Sequence, residues 1–190
     1  RHLTAHGDIP GEGTVMTGGG PVSVRLLTDE RVRVEMGAAR LPDGEQPEQL
    51  AVNGASVEFV HVSMGNPHAV IEHPDPGSVV QTLGPRIEVD PRFPNRTNVQ
   101  FIRLDGPSDL THRVWERGVG ETMASGTGAC AAAVAAVRIL GTPSPVTVHL
   151  PGGDLEIDVD DNLEVTMTGP AELIYEGVLS PALVARLDAL

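Results

Sequence analysis

The sequence predicts an α+β fold in which strands surround one buried helix. Residues 126–140 are rich in Ala, with Val, Ile and Leu, and carry no charge before Arg138, which indicates a helix covered on nearly every side. Elsewhere, segments that alternate between apolar and polar residues are typical of strands with one buried face. Such strands need an apolar partner, and we expect them to cover the Ala-rich helix.

The beginning of the chain predicts part of a helix, then a hairpin and a linker. Residues 1–13 resemble the end of a helix that is stopped by glycine and proline, and because its beginning is absent we expect a fragment of a longer protein. Residues 22–26 and 32–36 alternate between apolar and polar side chains and form a predicted hairpin. Residues 37–50 are polar and rich in Pro and Gly, which is typical of a linker between domains.

The rest of the chain predicts more strands than helices. Residues 57–73 contain two apolar strands joined by the turn GNPH, and the Pro-containing segment after them allows at most a short helix around residues 78–83. Three strands after the Ala-rich helix form a predicted meander with short turns. The predicted strands beyond the short helix are 97–105, 110–118, 146–150, 155–159 and 163–167.

Composition excludes several classes of function. The chain has 190 residues, a formal net charge of −13 and a pI near 4.8, which argues against nucleic acid and anionic membranes as partners. The sequence contains no Lys, so a complete chain of this sequence could not form the Schiff base of a pyridoxal phosphate enzyme. Cys130 is the single cysteine, which rules out an internal disulfide. With no charged-then-apolar leader and no apolar run of about 18 residues, we expect a cytoplasmic protein.

The first turn of the Ala-rich helix has the features of an anion-binding site. Ser125 can act as the N-cap, and Gly126 and Gly128 allow a ligand to approach the main chain closely. The main-chain N–H groups of residues 126–129 are predicted to face outward at the positive end of the helix dipole. This arrangement suits a carboxylate or a phosphate.

Polar residues near this turn indicate an amino acid as the ligand. Glu116 and Arg117 precede the turn by a short loop, so we expect a carboxylate and a guanidinium at its mouth. A surface ion pair beside a buried helix is the simpler alternative, but the order of the two motifs favours a zwitterionic substrate. Asn66 and His68 of GNPH would project from a strand end. Asn66 would offer its side-chain amide for hydrogen bonds to a ligand, and His68 would titrate or form a hydrogen bond. Taken by itself, the GNPH segment is most simply interpreted as a plain turn.

These motifs occur in the order in which they are found in one enzyme family. GNPH, then TN at 97–98, ERGVGET at 116–122 and SGTGAC at 125–130 before an Ala-rich helix together resemble diaminopimelate epimerases, and LPGG, MTGP and YEG near the end agree. The resemblance implies two similar halves, each with mostly antiparallel strands around a central helix, and an active site in the cleft between them. Residues 1–44, completed by 173–190, would belong to the first half, and 45–172 with helix 126–140 to the second.

The resemblance also implies an activity. Such an enzyme interconverts LL- and meso-diaminopimelate, for lysine and peptidoglycan precursor synthesis, without cofactor or metal, as a homodimer. One Cys removes the α-proton while a second Cys returns a proton to the opposite face. The implied catalytic positions are Ser125 in place of one Cys, Glu116 beside the reacting amino group and His68, which would tune the partner Cys. The implied substrate-binding residues are Asn66, Asn98, Glu116, Arg117, Gly126 and Thr127.

Two departures from the family pattern change what we expect of this chain. The catalytic Cys of this half is replaced by Ser125, whose hydroxyl is much less acidic than a thiol, and Cys130 is more typical of a small core residue. An engineered change that traps substrate explains the Ser, with natural loss as the alternative. The other catalytic Cys would precede Arg1. We therefore expect this chain to be inactive alone.

Three alternatives stay open at this point. The chain could belong to a related isomerase of the proline racemase or phenazine type, or to a non-catalytic homologue that binds ligand. A phosphate-binding loop is less favoured, because the stretch lacks the Gly-Lys ending of such loops.

Overall fold

The fold of the chain was obtained as a computed structural model that describes residues 11–17 and 20–189. The described part contains twelve strands and three helices. The helices are α1 (Pro76–Glu88), α2 (Gly126–Arg138) and α3 (Pro181–Leu187). The strands are β1 (Glu12–Thr17), β2 (Gly20–Leu26), β3 (Val32–Ala38), β4 (Glu48–Val52), β5 (Ala55–Ser63), β6 (Pro67–Glu72), β7 (Asn98–Leu104), β8 (Asp109–Glu116), β9 (Gly120–Thr122), β10 (Val146–Leu150), β11 (Gly153–Val159) and β12 (Glu164–Gly169).

The described strands form one mixed sheet. Their order is β1-β2-β3-β12-β11-β10-β8-β7-β6-β5-β4, and β9 pairs with the end of β8. Most neighbours are antiparallel, whereas β6 with β7 and β8 with β10 are parallel. This architecture confirms the predicted α+β class. The predicted hairpin and the predicted meander are present as β2–β3 and β10–β12, and pairing of β12 with β3 joins them in one sheet.

Helix α2 is the centre of the larger apolar core. Residues 129–136 are at most 1% exposed, which confirms the prediction of a helix covered on all sides. Alanine at most of these positions lets strands approach the helix closely, because a methyl group fills little space between two backbones. The side chains around it come from strands on both sides of β8, and they include Val62, Val70, Ile102, Leu110, Val148 and Ile157.

Helix α1 is longer than the sequence analysis predicted, and the expectation of a short helix around residues 78–83 was wrong. Asp75 caps its N-terminus by accepting a hydrogen bond from Ser78 N (3.3 Å), and Pro76 occupies the first turn, where its missing N–H costs nothing. Val80 and Ile87 are fully buried in a second apolar cluster on the other face of the sheet. This packing carries the helix past Pro85.

Strands β6 and β7 are covered on both faces, by α2 on one and by α1 on the other. Residues 68–71 and 98–102 are therefore buried without interruption. Strands buried on both faces need near-continuous apolar sequence, so each polar residue within them stands out. In this part of the sheet those residues are His68, Asn98 and Gln100.

The structure contains three strands that the sequence analysis did not predict, β1, β4 and β9. Strand β4 occupies the end of the segment 37–50 that was interpreted as a linker, and Leu50 and Val52 bury their side chains there. Every residue of β1 is exposed, so it has no alternating pattern to detect. The predicted helix end within residues 1–10 lies outside the described residues. Among the described helices, none has the length and hydrophobicity that a bilayer crossing requires.

Candidate active site

The ends of three strands meet beside the first turn of α2. Strands β6 and β7 run parallel with His68 opposite Asn98, and β8 runs antiparallel to β7 with Trp115 opposite Val99. The starts of β6 and β7 and the end of β8 therefore lie at one edge of the sheet. A hydrogen bond from Asn66 Nδ2 to Thr127 Oγ1 (3.4 Å) places the start of α2 at the same edge.

The first turn of α2 exposes two of the four predicted amides. Gly126 and Thr127 are half-buried, whereas Gly128 and Ala129 are buried, and Ala129 N already bonds to Ser125 O (2.9 Å). The prediction that the N–H groups of residues 126–129 are all unpaired was therefore wrong for Ala129, and Gly128 is buried although its N–H also has no acceptor among the described residues. The N–H groups of Gly126 and Thr127 have no acceptor within the described part of the chain. We call these two N–H groups the anion seat, after the ligand class that the sequence analysis predicts for them.

Ser125 occupies the N-cap position of α2 without acting as a side-chain cap. Its backbone is extended (φ −149°, ψ 113°), and its hydroxyl makes no capping hydrogen bond. The residue is 9% exposed. A Cβ built on Gly128 would lie 3.0 Å from Ser125 Oγ and 2.8 Å from Gln100 Oε1, so glycine is needed there for these two side chains to fit.

His68 lies inside β6 and is fully buried. Burial, and after it the nearby His112 and Arg117, lower the pKa of His68 from 6.5 to about 3. Of the two roles expected for His68, the geometry favours hydrogen bonding over titration near neutral pH. Its Nε2 lies 3.0 Å from Asn66 Oδ1, so the ring holds the Asn66 amide against Thr127.

Asn98 joins two of the loops at this edge. Its Nδ2 donates to Pro67 O (3.0 Å), and its Oδ1 accepts from Arg117 N (3.0 Å). The Arg117 guanidinium is exposed, and Nη1 donates to Asn95 O (3.1 Å). Arg117 is thus held by its main chain and by one of its side-chain donors, and the other donors have no partner in the described part of the chain.

Glu116 is held by a residue that the sequence analysis missed. Thr122 Oγ1 donates its single hydrogen to Glu116 Oε1 (2.5 Å), the nearer of two possible acceptors, and so links the Glu116 carboxylate to the segment just before Ser125. Thr122 belongs to β9, which pairs with β8 and folds the GVGET segment back along it. The contacts of Glu116 and Arg117 go to different groups, so the surface ion pair considered above is not formed.

Two further buried polar residues also went unrecognised in the sequence. Gln100 bridges His68 and His112 within the sheet. Glu88, at the end of α1, accepts hydrogen bonds from Trp115 Nε1 (2.7 Å) and Gly118 N (2.9 Å) and thereby fixes the turn that carries Arg117. A detectable signal existed for Gln100, because it is a polar residue in the middle of an apolar strand.

Cys130 is fully buried in the core of α2, as predicted. Burial raises the pKa of its thiol from 9.0 to about 12. It therefore stays protonated and cannot replace the base that Ser125 lacks.

The chain is similar in sequence to diaminopimelate epimerases. A model of the diaminopimelate epimerase family matches residues 60–174. The diaminopimelate epimerase of Pseudomonas paraeruginosa is 47% identical over 174 residues, which cover 86% of this chain and 63% of that protein. The diaminopimelate epimerase of Desulfitobacterium hafniense is 47% identical over 159 residues, which cover 78% of this chain and 56% of that protein. The chain thus spans less than two thirds of the length of these relatives.

Solved structures with the same fold include other isomerases. A probable proline racemase from Agrobacterium radiobacter K84 superposes with a TM-score of 0.68 at 15% identity, over 94% of this chain and 65% of that one. A hydroxyproline epimerase from Agrobacterium vitis gives a TM-score of 0.66 at 18% identity, over 89% and 61% respectively. At such low identity these likenesses show the fold, and they confirm the predicted fold class.

The two buried histidines make stability depend on pH. The pKa values of His68 and His112 are both lowered to about 3 in the folded chain, chiefly by burial, from 6.5 in the unfolded chain. The unfolded state therefore binds more protons below pH 6.5, and stability present above that pH is lost as the pH falls. We expect the free energy of unfolding to fall by up to about 1.4 kcal/mol per pH unit for each histidine.

Urea unfolding at pH 7.5, 6.5, 5.5 and 5.0 would measure this loss. The pKa of His149 is raised, first by its hydrogen bond to Asp154, so this partly exposed residue opposes the effect. His149→Asn should accordingly make the decline slightly steeper. A free energy of unfolding that stays flat or rises as the pH falls from 6.5 to 5.0 would contradict the neutral state of the buried rings.

Proposed function

The chain belongs to the diaminopimelate epimerase family, and on that premise we propose that it forms one side of an epimerase active site for diaminopimelate. The observation that carries the proposal is the anion seat, the two unpartnered amides of Gly126 and Thr127 at the N-terminus of α2. They lie next to Asn66, and the carboxylate of Glu116 is tied to the segment that leads into the same turn. An amino acid presents the complementary pair of charges.

The seat would hold the carboxylate that is attached to the reacting carbon. Removing an α-proton places negative charge on that carbon and, by delocalisation, on the carboxylate oxygens. Fixed N–H groups and the positive end of a helix dipole stabilise such charge at the moment it develops. Glu116 would accept a hydrogen bond from the α-ammonium group. These contacts make the proton more acidic without any cofactor.

The base on this side would act from position 125, at the edge of the seat. A thiolate there would be stabilised by the same helix N-terminus, because an anion is favoured beside unpaired N–H groups. Ser125 offers a hydroxyl instead, which is a poor proton acceptor at neutral pH. We therefore propose that this sequence binds substrate and does not epimerise it, and that a second base acts on the opposite face of the substrate carbon.

Arg117, Asn66 and Asn98 would bind the distal end of diaminopimelate. A guanidinium has five N–H donors in a planar fork, and the described contacts of Arg117 use one of them on Asn95 O. The remaining donors suit a second carboxylate. Asn98 uses one N–H to bond Pro67 O and its side-chain oxygen to bond Arg117 N, and its second N–H would be available to a ligand.

We propose that residues 1–44, completed by 173–190, belong to a first half of the fold and residues 45–172 to a second. Supporting this division, the strand β1 and the segment 173–187 expose apolar side chains that another part of a protein would cover. The most exposed of them are Met16, Ile174, Tyr175 and Val178. A homodimer and a cytoplasmic location stay predictions.

Restoring a thiol at position 125 in the full-length protein should restore epimerisation. Ser125→Cys is expected to interconvert LL- and meso-diaminopimelate at least about 100-fold faster than the Ser125 protein, because inversion needs a base on each face of the carbon and a positioned base contributes that much or more. Chromatographic separation of the two diastereomers measures the interconversion. Ser125→Ala is the matched control and should not epimerise. Binding without any interconversion in Ser125→Cys would instead identify a non-catalytic homologue.

Removing the Arg117 guanidinium should weaken binding of a substrate with two carboxylates. Arg117→Ala is expected to raise the Kd for diaminopimelate about 10–100-fold, the loss of about 1.4–2.8 kcal/mol. Binding of a monocarboxylate such as proline should change little. Arg103→Ala, at the other end of β7, is the control, since Arg103 pairs with Asp105 far from this edge. Equal losses for both ligands, or none, would favour a related isomerase with another substrate.

A further inference from the structure

A continuous chain of hydrogen bonds runs from the interior of the sheet to the anion seat. It passes through five side chains, on β8, β7, β6, the turn before β6 and α2. The distances are His112 Nε2 to Gln100 Oε1 2.6 Å, Gln100 Nε2 to His68 Nδ1 2.9 Å, His68 Nε2 to Asn66 Oδ1 3.0 Å, and Asn66 Nδ2 to Thr127 Oγ1 3.4 Å.

With the Gln100 and Asn66 amides oriented as they are in the structure, the chemistry of these groups gives the chain of hydrogen bonds one direction. The amide oxygen of Gln100 can only accept, so His112 must carry its hydrogen on Nε2. The amide nitrogen of Gln100 can only donate, so His68 Nδ1 carries a lone pair. A neutral imidazole has one N–H, which places the hydrogen of His68 on Nε2, facing Asn66 Oδ1. Both rings stay neutral near pH 7, since burial lowers the pKa of each to about 3.

The buried end of the chain of hydrogen bonds decides between this direction and the reverse one, in which the amides of Gln100 and Asn66 are both turned by 180°. His112 is fully buried, and its Nδ1 has no hydrogen-bond partner in the part of the chain that the structure describes. In the direction given above, that atom is an unused lone pair. In the reverse direction it would be an N–H group without an acceptor, and buried N–H groups of this kind are the rarer case. The reverse direction is therefore disfavoured.

We propose that Gln100 and His112 are positioning residues that turn Thr127 into a hydrogen-bond donor toward the bound carboxylate. In the favoured direction Thr127 Oγ1 accepts from Asn66, which leaves its own hydroxyl hydrogen free to donate to a ligand oxygen. In the reverse direction that hydrogen would point to Asn66 Oδ1, and the seat would present lone pairs to an anion. The ligand in this step rests on the proposed function, whereas the direction of the chain does not.

Gly128 supports this assignment by letting α2 lie directly against Gln100. A Cβ at that position would approach Gln100 Oε1 to 2.8 Å, inside normal contact distance. The seat and the buried amide are thus packed together as well as joined by hydrogen bonds. A change in the polarity of Gln100 should therefore be transmitted to the seat without a change in the fold.

Nitrogen NMR of the imidazole rings in the 190-residue chain tests the direction without any substrate. We expect His68 and His112 to be neutral at pH 7, each with its hydrogen on Nε2. Gln100→Glu replaces the amide donor with an acceptor, so His68 Nδ1 must gain a hydrogen. The ring of the partly exposed His149 should not respond to Gln100→Glu and is the internal control. Gln49→Glu, at an exposed position of β4, should leave the rings of His68 and His112 unchanged.

The same substitution in the full-length protein tests the consequence for binding. Gln100→Glu should weaken diaminopimelate binding about tenfold, because Thr127 then donates to Asn66 instead of to the ligand. A hydrogen on Nδ1 of His68 in the unmodified chain would overturn the proposal, as would Gln100→Glu that leaves the His68 ring unchanged. If that variant fails to fold, the position of the hydrogen on the His68 ring of the unmodified chain still tests the proposed direction. If both rings carry their hydrogen on Nε2 but the protein does not bind diaminopimelate, the direction of the hydrogen-bond chain is supported and the proposed function is contradicted.

Discussion

Burial of α2 on every side is the constraint on which the rest of this structure depends. A helix whose middle part is mostly alanine can be enclosed by strands at short distance, and enclosure leaves its N-terminal amides as the polar groups that cannot be buried without a partner. Residues 129–136 are enclosed in this way, while Gly126 and Thr127 remain at the edge of the sheet. The same packing therefore builds the core and creates the anion seat.

Hydrogen bonds from polar side chains of other segments hold the loops around the anion seat in place. Asn98 links the start of β6 to the main chain of Arg117, and Thr122 links Glu116 to the segment before Ser125. Glu88 holds the turn after Arg117 from the end of α1. Each of these side chains forms a hydrogen bond to a group in a neighbouring loop, so the contacts that stabilise the loops also position the site. Hydrogen bonds that position a site in the absence of a ligand lower the conformational cost of binding.

Much of the fold followed from the sequence because apolar periodicity is a local signal. The Ala-rich helix, the β2–β3 hairpin and the meander β10–β12 could each be predicted from a short segment of sequence. Helix α1 was not, because its length depends on contacts of Val80 and Ile87 with strands distant in sequence. The candidate site divides in the same way. The motifs around Asn66, Glu116 and Ser125 are each recognisable in a short segment. Gln100 and His112 act through contacts that strand pairing creates, and Glu88 acts through the packing of α1 on the sheet.

The central claim, that Gly126 and Thr127 form a seat for the substrate carboxylate, is tested most directly by amide NMR of the full-length protein during titration with diaminopimelate. The account predicts that the main-chain N–H signals of Gly126 and Thr127 shift downfield and saturate with the bound ligand, while that of buried Ala129, already bonded to Ser125 O, moves little. Saturable binding that leaves the signals of Gly126 and Thr127 in place would contradict the account.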